Sequence, residues 1–332
     1  MKLIKPSYFD TFCCIADRCP DSCCKEWDVL VDEEKAALYR SLPGDLGDRL
    51  RQVLKDEDGD IYMTIENRRC PMWRADGLCR IQAELGEEAL CKTCRDFPRL
   101  THDYGDFMEY GLELSCPEAA RIILNTPEPV FVTQEFPHGE PPEYDPTDME
   151  ILLRTRETAR KILSDTSRSV GEVLELLCVY AYQAQAELNG CEIPPFGNED
   201  FLLDYSRKCA RPGDMAQMLD FFKGLEILTP EWATHLESPS PAPWEPRHLT
   251  LARYFVDRYW LQAISDFDLV SRVKFAVVSC LVIKTLGGNI VQTAELYSKE
   301  IENSIENVEA ILDAVYENSA FGDGYLSGLL LL

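Results

Sequence analysis

The sequence predicts a mainly α protein: a small cysteine-rich α+β amino-terminal metal-binding domain followed by an all-helical carboxy-terminal domain. Three observations predict this. Ten of the 14 cysteines lie between Cys13 and Cys116. Short apolar runs with strand-like alternation occur only in that first region, whereas from Thr147 onward apolar residues recur at helical spacing with no convincing strand. Between the two regions, Thr126 to Pro146 carries Pro127, Pro129, Pro137, Pro141, Pro142 and Pro146 and reads as a boundary. The expected division is therefore 1–126, a Pro-rich linker at 127–146, and 147–332.

In chain order, Asp32 is placed to cap a helix through Leu42, and Leu46 to Lys55 reads as a second helix. Ile61, Met63 and Ile65 alternate with Tyr62 and Thr64, which predicts a strand, and the alternation of Met108, Tyr110, Leu112 and Leu114 suggests its partner. Ser115 and Glu118 have capping-box spacing ahead of a helix to Leu124, and Thr147 and Glu150 have the same spacing ahead of Leu152, Thr155, Ala159 and Ile162. Gly171 to Leu188 and Arg253 to Ile264 follow as helices. Leu269 to Leu286 is apolar on most faces and stops at Gly287-Gly288, as a central helix does. Ile305, Val308, Leu312 and Val315 mark one near the end.

The 332 residues include 33 basic and 58 acidic side chains, a formal net charge of −25. Nucleic-acid binding needs a basic footprint and anionic membranes attract basic segments, so both partners are excluded as expectations. A basic protein substrate is favoured, although an acidic surface also serves solubility alone. Met1 to Asp10 lacks a secretory pattern, and the Leu269–Leu286 run carries Arg272, Lys274 and Lys284, so a cytoplasmic location is expected. In a reducing compartment the cysteines are not expected to form disulfides. They are left as ligands, nucleophiles or core residues.

Cys14, Cys19, Cys23-Cys24, Cys70, Cys79, Cys91, Cys94 and Cys116 form the chemical signature. Thiolates at short loop spacing converge on a soft metal, which means zinc, copper(I) or an iron–sulfur cluster. Only Cys91 and Cys94 have the C-x2-C spacing of a zinc knuckle, and no His sits at ligand spacing from the cysteines, which favours a cluster with zinc as the alternative. Cys19-x3-Cys23 begins the C-x3-C-x2-C run that leaves an iron open to S-adenosylmethionine, but Glu26 stands where the third cysteine belongs. Asp56, Asp58 and Asp60 imitate a calcium loop, yet Ile61 occupies its glycine position, so an acidic turn is expected.

The order F-C-C-I-A-D-R-C-P-D-S-C-C-K-E-W from Phe12, Cys70-Pro71, Gly77-Leu78-Cys79, Gly86-Glu87-Glu88-Ala89-Leu90, Cys94-Arg95-Asp96-Phe97-Pro98-Arg99 and Leu114-Ser115-Cys116-Pro117-Glu118-Ala119-Ala120-Arg121 resembles the flagellin lysine N-methylase family, whose cysteine region is shared with a wider group of zinc- or iron-chelating proteins. Arg253-Tyr254-Phe255 and Leu269 to Ala276 resemble its carboxy-terminal helices. The resemblance implies methyl transfer from S-adenosylmethionine to lysines of flagellin, with a [4Fe-4S] centre in the amino-terminal region. It places the family pattern on Cys14, Cys19, Cys23, Cys24, Cys70, Cys79, Cys94 and Cys116, leaving Cys13 and Cys91 as extras. The alternative is a cysteine-rich zinc- or iron-binding protein without turnover.

No catalytic or S-adenosylmethionine-binding residue is legible: no G-x-G-x-x-G follows a strand, and the second half lacks Rossmann alternation. Trp27 is expected as a wall of the cage. Arg95 and Arg99 either counter a cluster's charge or pair with Asp96 or Glu118. His102 alone of the four histidines lies near the cysteines in sequence. Tyr254, Tyr259 and Trp260 form an aromatic group that packs in the core or, as an alternative, lines a lysine channel. Cys178, Cys191, Cys209 and Cys280 are expected as core or surface thiols.

Overall fold

Most of the cysteine-bearing segment is an excursion between two strands that pair with one another. The computed structural model describes residues 1–25, 29–136 and 141–331; Glu26, Trp27 and His138 lie outside them. Strand β1 (Lys2–Pro6) leads into the loops that carry Cys13 to Cys24. Then come β2 (Val29–Leu30), α1 (Glu33–Ser41), α2 (Gly44–Val53), β3 (Leu54–Glu57), β4 (Asp60–Met63), α3 (Arg80–Leu85) and α4 (Lys92–Asp96). The chain returns through β5 (Arg99–Asp103), β6 (Phe107–Leu112), α5 (Pro117–Leu124) and β7 (Phe131–Glu135).

β1 lies parallel to β6 and antiparallel to β7 in a four-stranded sheet ordered β5-β6-β1-β7. A second, three-stranded sheet is ordered β2-β4-β3. The strand over Ile61–Ile65 thus exists as β4, but its partners are β2 and β3 and not the Met108–Leu114 segment. The reason is local: Asp58 and Gly59 both take positive φ, 52° and 96°, the two-residue turn that closes a tight hairpin at small entropic cost. The same turn accounts for the acidic run at Asp56–Asp60.

The helical region follows as α6 (Pro146–Leu163), α7 (Val170–Leu188), α8 (Glu199–Cys209), α9 (Met215–Lys223), α10 (Pro230–Glu237), α11 (Arg247–Tyr259), α12 (Leu269–Leu286), α13 (Ile290–Tyr297), α14 (Ile305–Glu317) and α15 (Asp323–Leu331). Two expected caps are replaced. Ser115 donates its hydroxyl to the Glu113 carboxylate at 3.0 Å, so Cys116 precedes α5 in its stead. Asp145, not Thr147, caps α6 by accepting from the Thr147 amide at 2.8 Å. A full capping box does form at α7, between Ser169 and Glu172. Among the described residues no helix is long and apolar enough to cross a membrane.

Two cores result. The small one gathers Val29, Tyr39, Leu50, Met63, Met72, Ile81 and Leu90. The large one joins the helices to Phe9, Phe12, Phe107, Leu112, Leu114 and α5. The cores do not part within 127–146: that stretch contains β7, which zips onto β1, and the four-stranded sheet belongs with the helices. Apolar burial explains this, because a lone sheet face must be covered and α6 and α11 cover it. Arg156 of α6 clamps the covered face to the bundle by a bidentate pair with Glu109 of β6, at 2.6 and 2.7 Å.

α12 is buried almost throughout and ends where expected. Gly287 has φ +73°, and a Cβ there would stand 1.8 Å from the Ser240 carbonyl oxygen. Gly287→Ala is therefore expected to lose roughly 2 kcal/mol or more in denaturant unfolding, from left-handed backbone cost and steric displacement together. Unchanged stability would show that this helix stop does not need glycine.

Candidate metal centre

Loops from four parts of the chain bring thiols to the edge of the small core. Asp32 sets two of the elements at once: its carboxylate accepts from the Lys35 amide at 3.0 Å, capping α1, and from the Lys92 amide at 2.7 Å, capping α4. That fixes Cys91 and Cys94 at the start of α4. Cys70 is tied to Cys24 by a backbone bond of 2.7 Å, and Cys79 by a bridge to Trp73. The result is a set of neighbouring thiols that act on one another in pairs. The Cys23 thiol bonds Cys24, the Cys24 thiol bonds Cys70, and the Cys94 thiol bonds Cys91. Cys79 feels the charges of Cys23 and Cys91, which places it in the same neighbourhood. Met63 adds a thioether 3.8 Å from the Cys70 sulfur.

Cys14, Cys19 and Cys116 form a second group on the side of the large core, coupled to the first through the Cys19–Cys23 pair. Cys13 is exposed and points at the Cys14 carbonyl. Cys91, an extra in the family pattern, is buried against Cys94 and stands inside the assembly. The arginines do not enter it: Arg95 pairs with Asp96 at 3.3 Å, and Arg99 lies over the Phe12 ring. Cys178 and Cys280 are buried in the bundle, while Cys191 and Cys209 are exposed.

The protonation pattern follows from the contacts. Donation from Cys24 holds Cys70 below the usual thiol range, and donation from Cys94 does the same for Cys91. Cys24 accepts from Cys23, but its own donation to Cys70 and its burial prevail and push it up to about 12. Burial raises Cys19 and Cys79, and lifts Cys116 to about 11. Cys79, Cys91 and Cys116 each precede a helix, where first-turn amides favour a thiolate. Among the described residues no group of three or more His, Cys, Asp or Glu side chains is arranged to hold an ion. The donor chemistry nevertheless fits a soft metal: sulfur neighbours in an apolar wall, two of them easily deprotonated.

The bundle grips this region at Asp21, between Cys19 and Cys23. Asp21 pairs with Lys25 at 2.5 Å and with Lys299, which also holds Glu295. Lys299 lies on a single π-helical turn, Ser298–Glu302, that continues α13. From the same turn Glu302, its side chain wholly buried, forms an ion pair with Arg258 at 3.2 Å and accepts from the hydroxyls of Tyr254 (3.2 Å), Tyr259 (2.9 Å) and Ser298 (2.6 Å), while Arg258 donates to the Tyr254 hydroxyl at 2.7 Å. Trp260 donates to the Thr155 hydroxyl at 3.2 Å. Tyr259 and Trp260 are thus core residues. Tyr254 also borders a narrow cavity between the four-stranded sheet and α11, and His102 lines that cavity, not the cysteine group. Neither Glu302 nor the cavity gave any signal in the sequence.

A mainly helical chain with a thiol assembly at the edge of an α+β excursion defines a cysteine-rich class of protein, and comparison with known proteins narrows it. A lysine-N-methylase of Salmonella typhimurium is 31% identical over 138 residues, 40% of this chain and 34% of that protein. The lysine-N-methylase of Salmonella choleraesuis matches to the same extent. The flagellar biosynthetic protein FliU of Salmonella muenchen is 33% identical over 131 residues, 37% of this chain and 78% of FliU. No family model and no solved structure matches. The chain belongs to the flagellin lysine N-methylase family. Its match spans about a third of the length of the curated lysine-N-methylases, 34%.

The clamp on Asp21 is pH-sensitive. Burial, against the pull of Lys299, pushes the Glu295 carboxyl from its ordinary 4.5 up to about 7. The unfolded chain loses this proton near 4.5 and the folded chain keeps it to about 7, so the contribution is full below 4.5 and is lost as pH rises through 7. In denaturant titrations the wild type is expected to lose about 3 kcal/mol relative to Glu295→Gln across that window. Parallel pH profiles would show that Glu295 ionises normally.

Proposed function

We propose that this protein acts in S-adenosylmethionine-dependent methylation of lysine side chains of flagellin, and that its thiol assembly holds an iron–sulfur centre, [4Fe-4S] in preference to zinc. The observation that carries the reading is family membership: the relatives are named for lysine methylation and for flagellar biosynthesis. The net charge of −25 supports a basic protein partner over nucleic acid or an anionic membrane. Thiols kept reduced suit a cytoplasmic setting.

The proposed ligands are drawn from Cys14, Cys19, Cys23, Cys24, Cys70, Cys79, Cys94 and Cys116, with Cys91 beside them. When bound, the metal supplies thiolate cross-links between loops whose own core is small. Methyl transfer to an amine involves no net oxidation, so the role proposed for the centre is structural. The chain's residues must keep the lysine amine neutral, align it and remove a proton. The partial span of the match favours one other reading, a cysteine-rich zinc- or iron-binding protein without turnover.

Mass spectrometry of flagellin after incubation with S-adenosylmethionine and the anaerobically purified chain separates these readings. Methyl increments on flagellin lysines are expected, falling at least about tenfold in Cys70→Ser, whose sulfur is shared by Cys24 and Met63. A metal-loaded chain that neither binds S-adenosylmethionine nor modifies flagellin would leave the binding protein as the answer.

A further inference from the structure

The cavity beneath the four-stranded sheet has a volume of about 50 Å³. That is room for a few waters or the end of an unbranched side chain, and too little for a ring system. Strand alternation puts Ile4, Pro6, Leu100, His102 and Phe131 on the face that lines it. Gly111 stands opposite Leu100, and its missing side chain leaves part of the space.

The charges around the cavity do not balance one to one. Arg156 is matched by Glu109 and Arg160 by Asp257, but Arg258 faces two carboxylates, Glu302 at 3.2 Å and Glu113 at 4.0 Å. With Glu113 and Glu302 behind the wall included, four carboxylates stand against three guanidinium groups, a balance that favours an amine over an anion. His102 Nε2 is buried and has no hydrogen-bond partner among the described residues. Leaving such a group unmet costs about 1–3 kcal/mol, so an unpartnered ring nitrogen on a residue that lines the cavity points to a ligand. His102 also borders a neighbouring cleft of about 550 Å³, lined by Tyr104, Tyr144, Asp103 and Glu143. That volume is typical of small-molecule sites.

We propose that the narrow cavity receives the target lysine side chain, that the sulfonium methyl donor occupies the adjoining cleft, and that His102, which borders both, takes the proton from the lysine amine. This rests on the methylation reading above. The ammonium gives one proton to His102 Nε2. The freed Nζ lone pair then forms the N–C bond to the sulfonium methyl. The C–S bonding pair stays on sulfur as a neutral thioether, the methylammonium product carries the positive charge, and the imidazolium passes its proton to water.

The groups that act on His102 are Arg258 from α11, Arg156 from α6 and Glu109, its partner across β6, with the Tyr104 ring stacked 6.5 Å away; Tyr8, Tyr110, Arg160 and Asp257 line the same cavity. Burial first, then Arg258 and Arg156 against Glu109, hold its imidazole below the ordinary range, so it is a neutral acceptor at neutral pH.

The test uses the full chain with flagellin and S-adenosylmethionine, and separately with n-butylamine as a lysine mimic. His102→Gln is expected to lower kcat by about 100-fold with little change in KM and to erase the acid limb of the kcat profile. Gly111→Val, which fills the cavity without touching a charge, is expected to raise KM for flagellin severalfold while melting normally. Butylamine is expected to shift the His102 ring resonance in the wild type and not in Gly111→Val. Wild-type methylation in both variants overturns the lysine site and leaves the methylase reading standing. A wild type whose His102 resonance ignores butylamine also overturns the site. A butylamine shift abolished by Gly111→Val, in a chain that methylates no flagellin, supports the amine site and removes the methylase reading.

Discussion

The small core bounded by Val29 and Cys91 is closed at its edge by sulfur, and the rest of the structure is arranged around that closure. Its apolar contribution comes from a handful of side chains on short helices and two- to four-residue strands. Pieces of that length do not bury enough surface to stand alone. Thiols from the Cys23-Cys24 loop, Cys70, Cys79 and the Cys91–Cys94 turn are neighbours where the loops would otherwise splay. Hydrogen bonds between neutral thiols are weak fasteners, whereas thiolates on a shared metal are strong ones. This is the physical reason to read the cluster as a metal centre and the metal as a staple.

The thiol loops are not isolated from the bundle. Lys299 reaches Asp21, between Cys19 and Cys23, from the same π-helical turn on which Glu302 gathers Arg258, Tyr254 and Tyr259. Tyr254 and Arg258 in turn border the narrow cavity. One irregular turn thus carries contacts to the thiol loops on one side and to the cavity on the other. Single π turns are costly in backbone geometry and recur at functional places, and here the irregular turn sets Lys299 and Glu302 toward different partners. The −25 charge acts at longer range, favouring encounter with a basic protein before any of these contacts form.

The sequence was most readable where a single local pattern decides structure. The apolar run of Leu269–Leu286 and its glycine stop coincide with α12, Asp32 caps α1, and the density of cysteines marks the thiol assembly. Legibility failed where two distant segments must choose one another. Alternation in Ile61–Ile65 and Met108–Leu114 identified strands but not partners, because period two carries no register between them. Phe131–Glu135 was hidden in a Pro-rich stretch and becomes a strand through pairing with β1. His102 sits close to the cysteines in sequence, yet β5 turns it toward α11. Glu302 is one of many acidic residues, and only its buried side chain with three hydroxyl donors and the Arg258 ion pair sets it apart.

The central claim is that the assembled thiols are a metal centre, and it is tested most directly by metal and acid-labile sulfide analysis, with a visible absorption spectrum, on chain purified without oxygen. Iron with sulfide and a broad thiolate-to-iron band is the expected result. Zinc without sulfide would contradict the iron–sulfur assignment while leaving the staple in place. A metal-free chain whose thiols all react freely with a thiol reagent would contradict the metal centre itself.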